Sequence, residues 1–306
     1  MLKPVSQGKG LSMRLADGIR LLHPSLGAQV LGLDLSEPLD EARAQELRAL
    51  WHQYHVLLFR DQSLDDVGQV KFSQHFGTLE VLPEPEQRAA KSPEIFRIAN
   101  TDETGRIRAT DDPVGVYLKI VEHWHTDSAY REVPSFGAIL RALAVPPEGG
   151  QTQFVNLLDA YQALTPALQE QVAGRTISCS YEKTRAVPGG ALSGAGDEAQ
   201  SHMNSVHHPA VRRHPDRDGR LSLYISPVNM TGIDGLDANE SERLLNDLLE
   251  SVTQERFVYT HQWQAGDVLM WDNRCTMHRV LPYDGTQHAR TMHRTALAGI
   301  EPVLPA

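Results

Sequence analysis

The chain has 306 residues, 41% of them hydrophobic and 22% charged, enough apolar material for a core without disulfide or metal staples. Its formal charge of −10 excludes an electrostatic nucleic-acid binder, though not a local basic pocket for a small anion. Cys179 and Cys275 stand far apart with no Cys-x-x-Cys pair, which excludes a disulfide framework.

No apolar run approaches the roughly 18–20 residues that cross a bilayer, and MLKPVSQGKGLSM lacks the apolar core of a signal peptide. The expectation is a cytoplasmic protein with no membrane partner. In chain order, residues 19–40 read as short strands broken by Pro and Gly. Leu47, Leu50, Trp51 and Tyr54 at helical spacing behind an acidic start predict a helix over 40–54. HVLLFR (55–60) predicts a buried strand, and 64–77 a second helix stopping at Gly77. IFRIAN, SFGAILRALAV and QTQFVNL are further strands; residues 157–174 form a helix interrupted near Pro166, and ISCSYEK is extended. LSLYIS, RFVYTHQW, DVLMWDN and TMHRTALAG complete the strands, with a confident helix over 240–254. Segments 101–115 and 186–200 read as loops and are candidate covers for a site. Strands dominate without a βαβ rhythm, so the prediction is a mainly β, antiparallel core with peripheral helices, in one domain spanning 1–306.

EHWHTDSAY (122–130) carries the chemistry. On a strand, His125 and Asp127 would face the same way and could meet one metal ion. Alone the pair reads first as a surface hydrogen-bonded couple; a third ligand is needed, and WDNRCTMHRV offers His278. Two histidines and one carboxylate leave half of a metal's coordination sphere open, as in non-haem Fe(II) oxygenases, whereas structural zinc is closed by four ligands. Beyond it lie Arg290 and Arg294, four apart and therefore on one face of an extended strand. A buried guanidinium requires an anion, and Thr152 in GGQTQF could add a hydroxyl to it.

This ordered series resembles the taurine dioxygenase family of Fe(II)/2-oxoglutarate-dependent oxygenases, which includes the chlorophenoxyacetate dioxygenases. LGAQVLGLDLSEPL, VLLFRDQSLD, FSQHFGTLE, WHTDSAY, GGQTQF, WDNRCTMHRV and ARTMHRTALAG carry the likeness along nearly the whole chain. The resemblance implies a double-stranded β-helix, a cupin-like jelly roll, with His125, Asp127 and His278 as the catalytic iron ligands. It implies that Arg290 and Thr152 hold the distal carboxylate of 2-oxoglutarate, and that Arg294 lies beside the substrate. The cofactors would be Fe(II), 2-oxoglutarate as co-substrate and O₂; the products would be an oxidised small molecule, succinate and CO₂. Retention of Asp127 favours oxygenation over halogenation. Homo-oligomers are common in the family.

Two departures count against taurine. Leu82 stands where the taurine enzymes carry a sulfonate-binding histidine, and Val121 lies near their polar residue before the iron motif. A carboxylate with a hydrophobic body fits better than an alkylsulfonate. A biosynthetic tailoring oxygenase and a non-catalytic metabolite-binding jelly roll are the other readings. His207, His208 and His214 are expected in structural or rim roles, His123 is not expected to be a ligand, and Trp124 is expected to pack in the core.

Overall fold

A computed structural model describes residues 15–81, 87–109, 112, 114, 118–186, 205–216 and 218–306, with only the backbone of 184–186. Leu82 and most of the expected cover at 186–200 lie outside these residues, as does part of 101–115. The strands of the first half are β1 Ile19–Leu21, β2 Ala28–Val30, β3 Val56–Phe59, β4 Arg88–Ala89, β5 Ser92–Ala99, β6 Gly137–Ala144, β7 Thr152–Asn156 and β8 Thr176–Cys179. The second half adds β9 Val206–Pro209, β10 Val211–Arg213, β11 Leu221–Leu223, β12 Met230–Ile233, β13 Val258–His261, β14 Val268–Asp272, β15 Thr276–Val280 and β16 Thr291–Leu297.

The large sheet runs β1-β2-β3-β14-β6-β16-β5-β4, and a smaller one runs β13-β7-β15. They meet through an apolar layer in which Phe154 of β7 packs on Trp271 of β14, ring centroids 5.6 Å apart, among Leu58, Leu140 and Met292. This is the expected mainly β jelly roll. β3 and β14 are buried at every position, because each lies inside the sheet and is covered on both faces; this is why their sequences run apolar without alternation. One pairing departs from the antiparallel expectation: β2 runs parallel to β3. The helix Glu41–Tyr54 between them supplies the crossover that a parallel pair requires.

Local signals account for the helices. Asp40 caps Glu41–Tyr54 by accepting from the Arg43 amide at 2.8 Å, and Leu47, Leu50 and Trp51 bury one face. Pro166 opens its helix at the first turn behind the Thr165 cap. Asp237 and Glu240 form a reciprocal capping box on Ala238–Val252. The second predicted helix is shorter than expected, Asp66–Gln74, and Gly77 is not its stop. Gly77 instead lets the Phe136 ring approach: a Cβ there would sit 3.1 Å from Phe136 Cζ.

Gly137 is tighter still. A Cβ would stand 2.5 Å from the Trp51 indole and 2.9 Å from the Trp271 carbonyl, in the layer between helix and sheet. Gly137→Ala is expected to destabilise the protein by about 3 kcal/mol, the upper range for overpacking. Urea unfolding should show a lower midpoint at unchanged slope.

The turn from β14 to β15 is fixed by a buried charge cluster. Fully buried Asp272 accepts from His214 Nε2 at 3.0 Å and from Arg274 Nε and Nη2 at 2.9 and 2.8 Å, and Arg274 also pairs with Asp216. Burial raises the Asp272 carboxyl's pKa, but Arg274 and His214 overcome it and hold the group well below its usual 3.8. Such a group stabilises the fold at pH values above its unfolded pKa, and that stability is lost as pH falls through the lower folded value. Asp272→Asn should therefore cost about 3–5 kcal/mol at neutral pH. Its stability should also fall less steeply than wild type below about pH 4, as read by chemical denaturation across pH.

Candidate active site

Three side chains from two segments distant in sequence converge on one another. His278 sits on β15, opposite Phe154 of β7, and is 7% exposed. His125 is held against it by a single β-bridge: the His125 amide donates to the His278 carbonyl at 3.0 Å, and the His278 amide donates back at 2.9 Å. The two rings lie 4.2 Å apart, with Phe154 and Trp271 packed against the His278 ring. Asp127 comes from a turn. The Asn273 carboxamide accepts from the Asp127 amide at 3.0 Å and donates to its carbonyl at 2.9 Å, while Thr126 is tied to the Ile225 carbonyl and the Ser226 hydroxyl.

The strand expected to aim His125 and Asp127 together is therefore not there. A 3₁₀ turn, Ile120–Glu122, precedes the motif, and a tight turn with Ser128 at φ +58° follows it. Convergence comes from the bridge and the Asn273 clasp, neither of which is local in sequence.

His125 Nδ1 is 2.8 Å from the His123 carbonyl, and donating there leaves Nε2 with a free lone pair. His125 Nε2 lies 3.9 Å from Asp127 Oδ1, and His278 Nε2 lies 3.9 Å from Asp127 Oδ2. One ligand atom from each of the three residues lies within 4.8 Å of the others. Burial, then the neighbouring His125, pushes His278 down to about 3, so its imidazole is neutral at physiological pH. Burial raises the Asp127 carboxyl, but Arg294, His278 and His125 outweigh it and bring it to about 2, leaving a carboxylate. Asp127 Oδ2 has no hydrogen-bond partner among the described residues. Two neutral imidazoles and a carboxylate with an unused oxygen suit a divalent cation.

A second buried trio, His55, Asp272 and Cys275, also lies within ligand distance, but the oxygens of Asp272 are taken by Arg274 and His214. That trio is structural.

Arg290 stands just before β16 and is 3% exposed. Its Nε donates to the Gly150 carbonyl at 3.2 Å and its Nη2 reaches Thr152 Oγ1 at 3.4 Å; no carboxylate oxygen lies within 4.0 Å of it among the described residues. Burial brings its pKa down to about 10. Gly150 is obligatory here: its φ is +69°, and a Cβ would crowd Pro146 and the Arg290 Cδ. Thr152 in turn accepts from the Trp263 indole at 2.9 Å. The guanidinium is thus a prepared seat for an anion.

The sequence matches the family described as "Taurine catabolism dioxygenase TauD, TfdA family" over residues 18–296. The chain belongs to this family. It is 33% identical over 284 residues to the alpha-ketoglutarate-dependent 2,4-dichlorophenoxyacetate dioxygenase of Cupriavidus pinatubonensis, covering 90% of this chain and 96% of the relative. It is 35% identical over 293 residues to the (S)-phenoxypropionate/alpha-ketoglutarate-dioxygenase of Sphingobium herbicidovorans, covering 94% and 96%. The crystal structure of AAD-2 in complex with Mn(II) and N-oxalylglycine superposes with a TM-score of 0.83 at 34% identity, covering 94% of this chain and all of that one.

This member of the TauD, TfdA family is accordingly an oxidoreductase, a 2-oxoglutarate-dependent dioxygenase acting with O₂ on a small molecule. Among its described residues no helix is long and apolar enough to cross a membrane. Beside the trio a pocket opens, walled by Phe96, Ile98, Val121, Tyr130, Tyr181 and Val228. Arg294 lines this pocket too, its Nη1 engaged with Asp127 Oδ1 at 2.9 Å and its guanidinium over the Phe96 ring. Sequence reasoning anticipated Arg294 but missed Tyr181, Phe96 and the Asn273 clasp. Only Asn273 carried a hint, as the polar residue ending WDN.

The remaining histidines behave as expected. His208 bonds the Ala129 carbonyl and His214 bonds Asp272, both buried, whereas His207 pairs with Asp234 at the surface. His123 is exposed. Trp124 is half-buried, against the core on one side and under the Arg279 guanidinium on the other.

Proposed function

We propose that the chain, acting as one domain over residues 1–306, is an Fe(II)-dependent member of the family that oxidises a carboxylate with a hydrophobic, ring-bearing body. His125, Asp127 and His278 are the metal ligands in this reading, Arg290 and Thr152 receive the distal carboxylate of 2-oxoglutarate, and Arg294 stands at the substrate side. The observation that carries it is the convergence of the trio within 4.8 Å, in a chain that also holds a buried arginine paired with no carboxylate among the described residues. Bound iron, with 2-oxoglutarate and O₂, supplies the oxidation that inserts oxygen into a C–H bond.

The protein's own contribution is placement and shielding. Arg290, Thr152 and Trp263 form a hydrogen-bonded chain that fixes one end of an extended dicarboxylate. Arg294 holds the Asp127 oxygen that lies nearer His125 and leaves the other turned to His278. Phe96, Tyr130 and Tyr181, the last two with ring centroids 4.8 Å apart, offer flat apolar walls to an aromatic substrate and keep water from the reacting bond. The phenoxy-acid relatives favour the same chemistry. Oxygen placed on the carbon next to an ether oxygen would give a hemiacetal that collapses, cleaving the C–O bond. Val121 in the pocket wall gives a sulfonate no polar partner, which disfavours taurine.

The test is an anaerobic Fe(II)/2-oxoglutarate titration followed by a panel of aryloxyalkanoates, alkyl sulfates and taurine, read by succinate release together with substrate loss. Coupled turnover with an aryloxyalkanoate is the expected result. Coupling only to an alkyl sulfate or taurine would overturn the substrate assignment, and no coupling to any member alongside tight binding would point to a metabolite-binding protein.

A further inference from the structure

A single residue grips the backbone of Arg290. Asn100 is the first residue beyond β5 and Arg290 the last before β16, at the point where Thr291 pairs with Ala99. The Asn100 amide donates to the Arg290 carbonyl at 3.2 Å, and the Asn100 carboxamide oxygen accepts from the Arg290 amide at 2.7 Å. Its Nδ2 donates to the Gly285 carbonyl at 2.8 Å and to the His288 carbonyl at 2.9 Å. One buried side chain thus ties the loop 285–290 to the end of β5.

The guanidinium itself is held loosely. Its bonds to the Gly150 carbonyl and the Thr152 hydroxyl, at 3.2 and 3.4 Å, are long, and no carboxylate oxygen lies within 4.0 Å among the described residues. With no ion pair to fix its aim, the side chain depends on the backbone it leaves from. Asn100 and Arg290 line one cavity of about 230 Å³, together with Ile98, Val280 and Tyr283. Asn100 has no side-chain donor to offer an anion there, since both N–H groups of its carboxamide are spent on the loop and what remains is an acceptor oxygen. Its influence on a bound dicarboxylate passes through Arg290.

We propose that Asn100 is a positioning residue for co-substrate binding, fixing the stretch of backbone from which Arg290 reaches its ligand. This rests on the assignment of Arg290 to the distal carboxylate of 2-oxoglutarate. Without the clasp, the loop 285–290 gains conformations in which the guanidinium is aimed elsewhere. The ligand must then select the competent fraction, and apparent affinity falls in proportion.

The test is a double-mutant cycle on the full chain, with Fe(II) bound and oxygen excluded, read as the 2-oxoglutarate dissociation constant. Asn100→Ala should raise that constant about tenfold, as a competent fraction of about one tenth would. Fe(II) affinity without co-substrate should stay at the wild-type value, because the bridge between His125 and His278, not this loop, sets the trio. Combined with Arg290→Ala, the same change should add nothing, since the side chain it aims is gone. Should Asn100→Ala not fold, Asn100→Ser carries the same expectations. An unchanged constant in Asn100→Ala, or an equal further loss on top of Arg290→Ala, overturns the proposal and leaves the role of Arg290 intact. A parallel fall in Fe(II) affinity would mark a general structural effect and overturns it too. No loss in Arg290→Ala alone would remove the arginine itself from the binding site, and the proposal with it.

Discussion

His278→Ala is expected to abolish succinate formation coupled to substrate oxidation, with a loss greater than about 100-fold. Even changes to residues that merely orient a metal's ligands cost 10–100-fold, and this one removes a donor outright. The loss should not be one of folding. The position keeps its place through backbone bonds to His125 and its pairing with β7, which an alanine retains. What disappears is an imidazole held neutral between Trp271 and Phe154 and turned to the Asp127 carboxylate. The decisive comparison is activity against circular dichroism and thermal unfolding. A native fold with turnover within tenfold of wild type would contradict the assignment of His278 as a metal ligand.

Arg290→Ala should raise the 2-oxoglutarate dissociation constant by about 100- to 1,000-fold, the scale of removing one partner from a buried charge-assisted pair. In the co-substrate-free protein the side chain contributes differently. It is a buried cation whose hydrogen-bond acceptors among the described residues are the Gly150 carbonyl and the Thr152 hydroxyl, so its removal should leave the melting temperature unchanged or higher. Opposite effects on ligand-free stability and co-substrate affinity would identify a functional rather than structural arginine. Calorimetry under anaerobic conditions supplies the affinity; an unchanged dissociation constant would remove Arg290 from the binding site.

The parts legible in the sequence were those whose cause is local. The acidic start of the first long helix, the Pro166 interruption and the uniformly apolar β3 and β14 each follow from a few adjacent residues, and the described structure has them. His125, Asp127 and His278 could be singled out by residue type and order, and they do meet. The route by which they meet was not legible: strand alternation was the stated reason, while a bridge and the amide of Asn273 do the positioning. Gly77 shows the same limit. A glycine after a helical stretch reads as a stop, but its function here is steric and depends on Phe136, distant in sequence. The engagement of Arg294 by Asp127 was equally hidden, since spacing tells which residues share a strand face but not which charge each will find.

The bridge between His125 and His278 closes a very long segment of chain with two backbone bonds that need no bound ion. Contacts so far apart in sequence are among the slowest to form, because loop closure must precede any gain from them. The bridge that sets the donors is therefore a late product of folding, made by backbone bonds rather than by the ion. Unlike a zinc finger, whose chain collapses only around its ion, this polypeptide should survive chelation with its cage intact and reload without passing through the denatured state.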